Sequence, residues 1–149
     1  MQVNYQNHSP EVQLELVSTT TSDLESKPKP RPETIGPKST DSNIVGNHWE
    51  KEVARTARIK GYEVFPNDVP KGPVDLVLGI NGEYYPFDVK QECWCPRDGI
   101  WYAKNCARVA DGVWAICVNP ETGRVRWPLS NGGDRKTPKC PPGCENIWD

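Results

Sequence analysis

Two aspartates flank a predicted hairpin and carry the most specific chemical signal in the chain. Asn81-Gly82 is a strong signal for a two-residue type I′ turn, here between apolar strands predicted over 74–80 and 83–91. A turn of that length, continued along both strands, pairs Asp75 with Asp88. We therefore predict that the two carboxylates lie opposite each other on one face, with Cβ atoms about 4.5–5.5 Å apart.

Lys90 belongs to the same predicted face, because it follows Asp88 by two residues along a strand. Two like charges paired across a sheet destabilise it unless something positive lies between them. A divalent cation that prefers hard oxygen ligands fits this place, and Mg²⁺ typically uses one or two carboxylates plus waters. A bulge at Gly79 or Pro86 would shift the register by one residue and separate the pair.

Glu50 supplies a third acid on a predicted amphipathic helix over 48–60, with Asn43 or Asn47 as its N-cap and Gly61 at its end. Helical spacing aligns Glu50 with small apolar residues on the side that faces the sheet, where an unpartnered carboxylate is costly. A shared metal would offset that cost. The alternative is a solvated glutamate favoured by the helix dipole.

These residues also resemble a known family. Glu50, then Pro73-Val74-Asp75, then Asp88-Val89-Lys90 is similar to the signature of the PD-(D/E)XK nucleases, in the same order of helix, strand and hairpin. The resemblance covers about 46–128 and departs from the usual pattern in placing Val74 between the proline and the aspartate. A looser similarity links the later segments to the small PD-(D/E)XK homing endonucleases: Trp101-Tyr102, Asp111 to Ile116 and Thr122 to Trp127.

The resemblance implies an α/β fold with a restriction-endonuclease-like core, in which a mixed β-sheet is flanked by helices. It implies that Asp75 and Asp88 bind Mg²⁺, or Mn²⁺ as a substitute, with help from the Val89 carbonyl, and that Glu50 reaches the metal through water. Lys90 would orient or activate the attacking water, and Gln91 beside it would assist. The expected activity is hydrolysis of DNA to 5′-phosphate and 3′-hydroxyl ends.

Six cysteines all follow residue 46, and four of them fall in two close pairs. Cys93-Trp94-Cys95 and Cys140-Pro141-Pro142-Gly143-Cys144 could together hold one Zn²⁺ that fastens the proline-rich tail to the sheet. The alternative is ordinary reduced thiols in an intracellular protein.

Composition divides the 149 residues unevenly. We predict a largely disordered arm rich in proline, serine and threonine over 1–45, a nuclease core over 46–128 and a loop-like tail over 129–149. Within the arm, the alternating segment 12–16 could dock as an edge strand. No apolar run approaches the roughly 18 residues that span a bilayer, and no signal peptide is visible, so we expect a cytoplasmic protein without a membrane partner.

DNA is the expected partner, although the chain has 18 Lys+Arg against 20 Asp+Glu and a net charge of −2. A homodimer or homotetramer would pool basic faces and would also suit the cutting of two strands. The basic residues nearest the predicted cleft are Lys51, Arg55, Arg58, Lys71, Lys104 and Arg108, followed later by Arg124, Arg126, Arg135, Lys136 and Lys139. Ordinary solvated surface is the alternative for all of them.

Two other functions remain open at this point. The same core could serve a Holliday-junction resolvase or a repair nuclease, which differ from a homing enzyme only in the DNA they select. A protein of another class, a non-catalytic zinc-stabilised module for DNA binding or protein interaction, would need neither Asp88 nor Lys90.

Overall fold

The computed structural model describes residues 27–67, 72–103, 109–129 and 137–149. These residues fall into two units. The smaller unit joins 27–31 to Cys95–Ile100, where the Lys29 N–H donates to the Pro96 carbonyl at 2.9 Å. The larger unit comprises Pro32–Trp94 and Trp101–Asp149 and contains the predicted core except for Cys95–Ile100.

The helix of the larger unit, α1, spans Ser42–Ile59 and so begins six residues before the predicted start. The predicted caps Asn43 and Asn47 are wrong, because the N-cap is Asp41, whose Oδ1 accepts the Asn43 N–H at 2.9 Å. A side-chain oxygen at this position satisfies a donor that the first turn leaves unpaired. The end is as predicted, since the chain leaves the helix through Gly61 at φ +89°.

The Asp41 cap gives a direct stability prediction. We expect Asp41→Ala to lower the free energy of unfolding by about 1 kcal/mol, because an unpaired N–H is left in the first turn. Urea denaturation followed by circular dichroism measures the change. Asn43→Ala, which keeps the same backbone donor, is the matched control, and an equal loss in both variants would refute the assignment of the cap.

In the described part of the chain, seven strands accompany α1, and five of them form one mixed sheet in the order β1-β2-β3-β6-β7. Their bounds are Glu63–Pro66 (β1), Leu76–Ile80 (β2), Glu83–Gln91 (β3), Cys93–Cys95 (β4), Ile100–Tyr102 (β5), Trp114–Val118 (β6) and Val125–Arg126 (β7). Neighbours are antiparallel except β3 and β6, which run parallel. The predicted α/β class with a mixed sheet is therefore confirmed, with one helix rather than several formed by the residues described.

The predicted hairpin register is confirmed from Ile80↔Glu83 to Leu76↔Phe87. The turn residues Asn81 and Gly82 both have positive φ, at 54° and 85°, as a type I′ turn requires. Between the large strands, Ile100–Tyr102 forms the strand β5, which pairs with β4; positions 104–108 lie outside the described residues.

One face of the large sheet packs on α1 and forms the main core. Trp49 and Val53 of the helix are buried against alternate residues of β2, β3 and β6, among them Leu78, Phe87 and Ile116. The opposite face carries a smaller buried cluster of Ala115 and Cys117. The face that packs on α1 thus carries a large buried apolar cluster, and the opposite face carries a small one.

The C-terminal residues complete the main core. The described part, 137–149, contains only turns and an isolated bridge, yet Cys144 and Ile147 are buried in the core cluster. The Trp127 Nε1–H donates to the Cys144 carbonyl at 2.8 Å.

The N-terminal predictions are only partly covered. Residues 1–26, which include the segment 12–16, lie outside the described residues; positions 27–41 contain neither helix nor strand. The predicted boundary at 45/46 falls within α1. Among the residues that are described, no helix combines the length and the apolarity that crossing a membrane requires.

Candidate active site

Asp75 lies at the junction of three strands, immediately before β2. Its N–H donates to the Phe87 carbonyl at 2.8 Å, and its carbonyl accepts the Asn67 N–H at 3.0 Å. The ladder already pairs Phe87 with Leu76, so Asp75 and Leu76 share one neighbour, as in a β-bulge. The predicted backbone pairing of Asp75 with Asp88 is therefore not formed. The backbone of Asp75 is instead held by hydrogen bonds to Asn67 on one side and to Phe87 on the other.

The predicted carboxylates nevertheless meet. The Asp75 side chain is within hydrogen-bonding distance of the carboxyl groups of both Asp88 and Glu50. Asp75 Oδ2 also accepts the Val89 N–H at 2.7 Å, which ties the side chain to β3. Asp75 thus interacts with one acid from the helix and with one from the hairpin strand. A metal shared by all three acids stays a prediction.

Lys90 supplies the one cation in contact with this cluster among the described residues. Its Nζ lies 2.9 Å from Asp88 Oδ2, and the two side chains are 32% and 18% exposed. Asp88 and Lys90 alternate with Phe87 and Val89, so they project from the sheet face opposite α1. The Lys90 side chain is thus partly accessible to a ligand while its ammonium group pairs with Asp88.

Burial and crowding alter the proton affinity of the cluster. Desolvation is the main cause that raises the pKa of Asp88 to about 6; the Asp75 carboxyl raises it further, and Lys90 opposes the rise. Desolvation also raises the pKa of Asp75, against the hydrogen bonds from Asp88 and Val89. Two carboxyl groups can hydrogen-bond only through a shared proton, which the raised pKa of Asp88 favours.

The raised pKa makes a stability prediction for the metal-free protein. The folded state binds the Asp88 proton more tightly than the unfolded chain, so this stabilisation is present below the ordinary pKa of 3.8 and is lost as the pH rises through about 6. With EDTA present, we expect the free energy of unfolding of wild type, relative to Asp88→Asn, to fall between about pH 4 and about pH 7. Urea titrations at each pH measure this difference, and a difference that stays flat over that range would contradict the prediction.

The donor chemistry of the cluster fits a hard divalent cation. Carboxylate oxygens are the ligands that Mg²⁺ and Mn²⁺ prefer, and a cation would relieve the repulsion that protons now relieve. Among the described residues, no three His, Cys, Asp or Glu side chains lie in positions from which they could together coordinate one metal ion. Their oxygens instead contact one another, the Val89 N–H and the Lys90 ammonium. Binding of a metal would therefore require the carboxylate oxygens to exchange some of these contacts for bonds to the metal.

Gln91 is not brought to the carboxylates. Its Oε1 accepts the Trp49 Nε1–H at 2.7 Å, which links β3 to α1 on the other side of the sheet. Strand alternation explains this, because Gln91 points away from the face that carries Asp88 and Lys90.

Sequence reasoning missed a buried charged pair on the Asp88 face. Glu92 is 2% exposed and accepts two hydrogen bonds on Oε2 from Arg126, one of them from Nε at 2.7 Å. Its other oxygen, Oε1, is buried without a hydrogen-bond partner in the described part of the chain. The signal was available in the sequence, because Asp88, Lys90 and Glu92 alternate with period two.

The cysteines occupy two different settings. Cys93 and Cys95 are half-buried in β4, and Cys95 Sγ donates to Asp98 at 3.6 Å. Cys144 is a buried core residue, and burial raises the pKa of its thiol and that of Cys140. The described residues therefore do not gather these four thiols into a group that could hold Zn²⁺, and the zinc site stays a prediction.

The predicted DNA-binding residues are covered unevenly. Lys51, Arg55 and Arg58 are exposed on α1, and Arg55 pairs with Glu52 at 3.0 Å. Lys71, Lys104 and Arg108 lie outside the described residues.

Comparisons of the chain with protein-family profiles, with curated proteins and with solved structures find no match.

Proposed function

We propose that this protein is a Mg²⁺-dependent DNA endonuclease with a restriction-endonuclease-like core, closest in type to the small homing endonucleases. The observation that carries the proposal is the contact of Asp75 with both Glu50 and Asp88, together with the Lys90 ammonium 2.9 Å from Asp88. This combination of three acids and one lysine is the set that the resemblance to PD-(D/E)XK nucleases implies.

Asp75 and Asp88 would hold the metal with the Val89 carbonyl, and Glu50 would act through a water. When bound, Mg²⁺ supplies positive charge that stabilises the developing charge on the phosphate and lowers the pKa of a nearby water. The fixed backbone of Asp75 and its bond to the Val89 N–H hold one ligand in place before substrate arrives.

Lys90 would position the attacking water and stabilise negative charge beside it. Its ion pair with Asp88 holds the ammonium at the carboxylates, and its partial exposure leaves room for a phosphate. The products would carry 5′-phosphate and 3′-hydroxyl ends.

Cleavage of two DNA substrates tests the proposal. Supercoiled plasmid and a synthetic four-way junction are incubated with wild type and Asp88→Asn, each with Mg²⁺, Mn²⁺ or EDTA. We expect cutting by wild type that requires metal and is lost in the variant. Preference for the junction would assign a resolvase-type enzyme, and preference for duplex would favour the homing type.

A long recognition site could hide the activity on a random plasmid. A randomised duplex library sequenced after incubation covers that case, because even rare cut sites are recovered by their 5′-phosphate ends. Metal-dependent cutting in none of these substrates would refute the nuclease and favour the non-catalytic module.

A further inference from the structure

Arg126 lies in line with Lys90 on the face of the sheet that carries Asp88. The ladders pair Lys90 of β3 with Cys117 of β6, and Cys117 with Arg126 of β7. Paired residues of neighbouring strands share a face, and strands lie about 4.8 Å apart. The Cα atoms of the two cationic residues are therefore roughly 10 Å apart, with a buried cysteine between them.

Glu92 holds the Arg126 side chain in one orientation. Nε and Nη2 of Arg126 both donate to Glu92 Oε2, and Nη2 also donates to the Trp101 carbonyl at 3.3 Å. Glu92 is itself fixed by its backbone, since its N–H donates to the Val118 carbonyl at 2.9 Å. The guanidinium is thus oriented by bonds to one carboxylate oxygen and one backbone oxygen.

The two members of this pair differ in their access to solvent. The Glu92 side chain is 2% exposed, whereas that of Arg126 is 40% exposed. Within the described residues, Nη1 of Arg126 makes no hydrogen bond, so the two N–H donors of this one nitrogen remain available on a partly exposed side chain. An arginine in this state can donate to one more anion through Nη1, and phosphate oxygens are strong acceptors for a charged donor.

A purely structural role would not explain the composition of the pair. Burying a carboxylate costs several kcal/mol, and apolar residues of similar volume are often as stabilising or more so. Here one carboxylate oxygen, Glu92 Oε1, also stays unpaired among the residues described. The pair is therefore a costly means of covering the sheet but an effective means of orienting an exposed arginine.

We propose that Arg126 binds a backbone phosphate of the DNA, beside the one that reacts near Lys90, and that Glu92 is its positioning residue. This inference rests on the proposed nuclease function and deepens it by assigning the substrate contact on β7. The two cations then hold two phosphates of one strand along a single row of the sheet.

DNA binding by a cleavage-defective protein tests the assignment. The parent is Asp88→Asn in EDTA, and the probes are a fluorescein-labelled 40-base-pair duplex and a four-way junction, followed by anisotropy from about 50 to about 200 mM NaCl. Because removal of Arg126 alone would leave Glu92 buried and unpaired, the main variant is Glu92→Gln with Arg126→Met, which removes both charges and keeps their volume. Arg126→Lys keeps the positive charge but loses the planar guanidinium that Glu92 orients.

We expect the double substitution to weaken binding about tenfold and to reduce the slope of log K against log salt by about one. Arg126→Lys should weaken binding less and leave that slope unchanged. Arg124→Ala, an exposed arginine two residues away, is the matched control, for which we expect a smaller loss of affinity. Thermal unfolding identifies any variant that fails to fold, and Arg126→Lys then carries the test.

The outcomes separate the two proposals. If the parent binds DNA and the double variant binds with the same affinity and salt slope, Arg126 does not contact phosphate and this assignment is overturned alone. If the parent binds neither probe, and wild type cuts neither the plasmid nor the library, the nuclease function fails and this inference fails with it.

Discussion

Replacing Lys90 by alanine is expected to abolish DNA cleavage, by about a hundredfold or more, while DNA binding changes little. The reason is that, in the proposed nuclease reaction, the ammonium would stabilise the negative charge that develops, and interactions made mainly in the transition state affect the rate far more than binding. Lys90 is partly exposed and its Nζ pairs with Asp88 at the surface of the sheet, so its removal leaves the fold intact. Single-turnover cleavage with excess protein measures the loss.

Two comparisons make the Lys90 prediction specific. Lys90→Arg keeps the charge but changes its shape and reach, so we expect a rate between those of wild type and Lys90→Ala. Lys51→Ala removes an exposed lysine from α1 and serves as the control for net charge. Cleavage by Lys90→Ala at the wild-type rate would exclude a catalytic role for this residue.

Phe87→Ala is expected to lower the free energy of unfolding by about 3–5 kcal/mol, a large fraction of the stability of a small domain. Phe87 is fully buried in the main core, and its ring packs on Trp127 with centroids 5.6 Å apart. Its carbonyl also accepts the Asp75 N–H, so collapse of the cavity would disturb the position of a proposed metal ligand. Denaturation in guanidinium chloride measures the change in the free energy of unfolding.

Tyr84→Ala is the matched control for Phe87. Tyr84 is an aromatic residue of the same strand, but it is 58% exposed and contacts mainly Phe65 and Glu63 at the sheet edge. We expect a loss of less than about 1 kcal/mol. Similar losses in the two variants would mean that Phe87 does not anchor the core.

The sequence determines the hairpin locally, which is why its register could be predicted. Asn81-Gly82 selects a two-residue turn, and that turn fixes every pair from Ile80↔Glu83 to Leu76↔Phe87 without reference to the rest of the chain. The strand Glu83–Gln91 was predicted at its observed bounds for the same reason. This local register brings Asp75 and Asp88 to the same end of the hairpin, although it does not pair their backbones.

Other features depend on contacts distant in sequence and were not predicted. The bulge at Asp75 arises because Asn67 and Phe87 hold its backbone from two neighbouring strands. The parallel pairing of β3 with β6 sets Lys90 in line with Arg126, and no periodicity in either strand specifies that pairing. The burial of Glu92 is likewise a consequence of its partner on β7.

The start of α1 could not be predicted from apolar periodicity alone. The apolar periodicity that predicts a helix begins near Trp49, whereas the first turns contain polar residues and Gly46. Their helical conformation depends on the Asp41 cap, which the sequence also offered but which lies outside the periodic segment.

Cys144 and Ile147, which follow every proposed ligand in the sequence, determine when the site can form during protein synthesis. Cys144 and Ile147 fill the core beside Trp127, Trp127 packs on Phe87, and the Phe87 carbonyl holds Asp75. A ribosome-bound chain that ends before Cys144 already contains every proposed ligand, but it lacks the packing that holds those ligands together. Synthesis of the motif and assembly of the proposed site are therefore separate events, and a stop codon introduced before Cys144 would leave a chain with the complete motif and no assembled site.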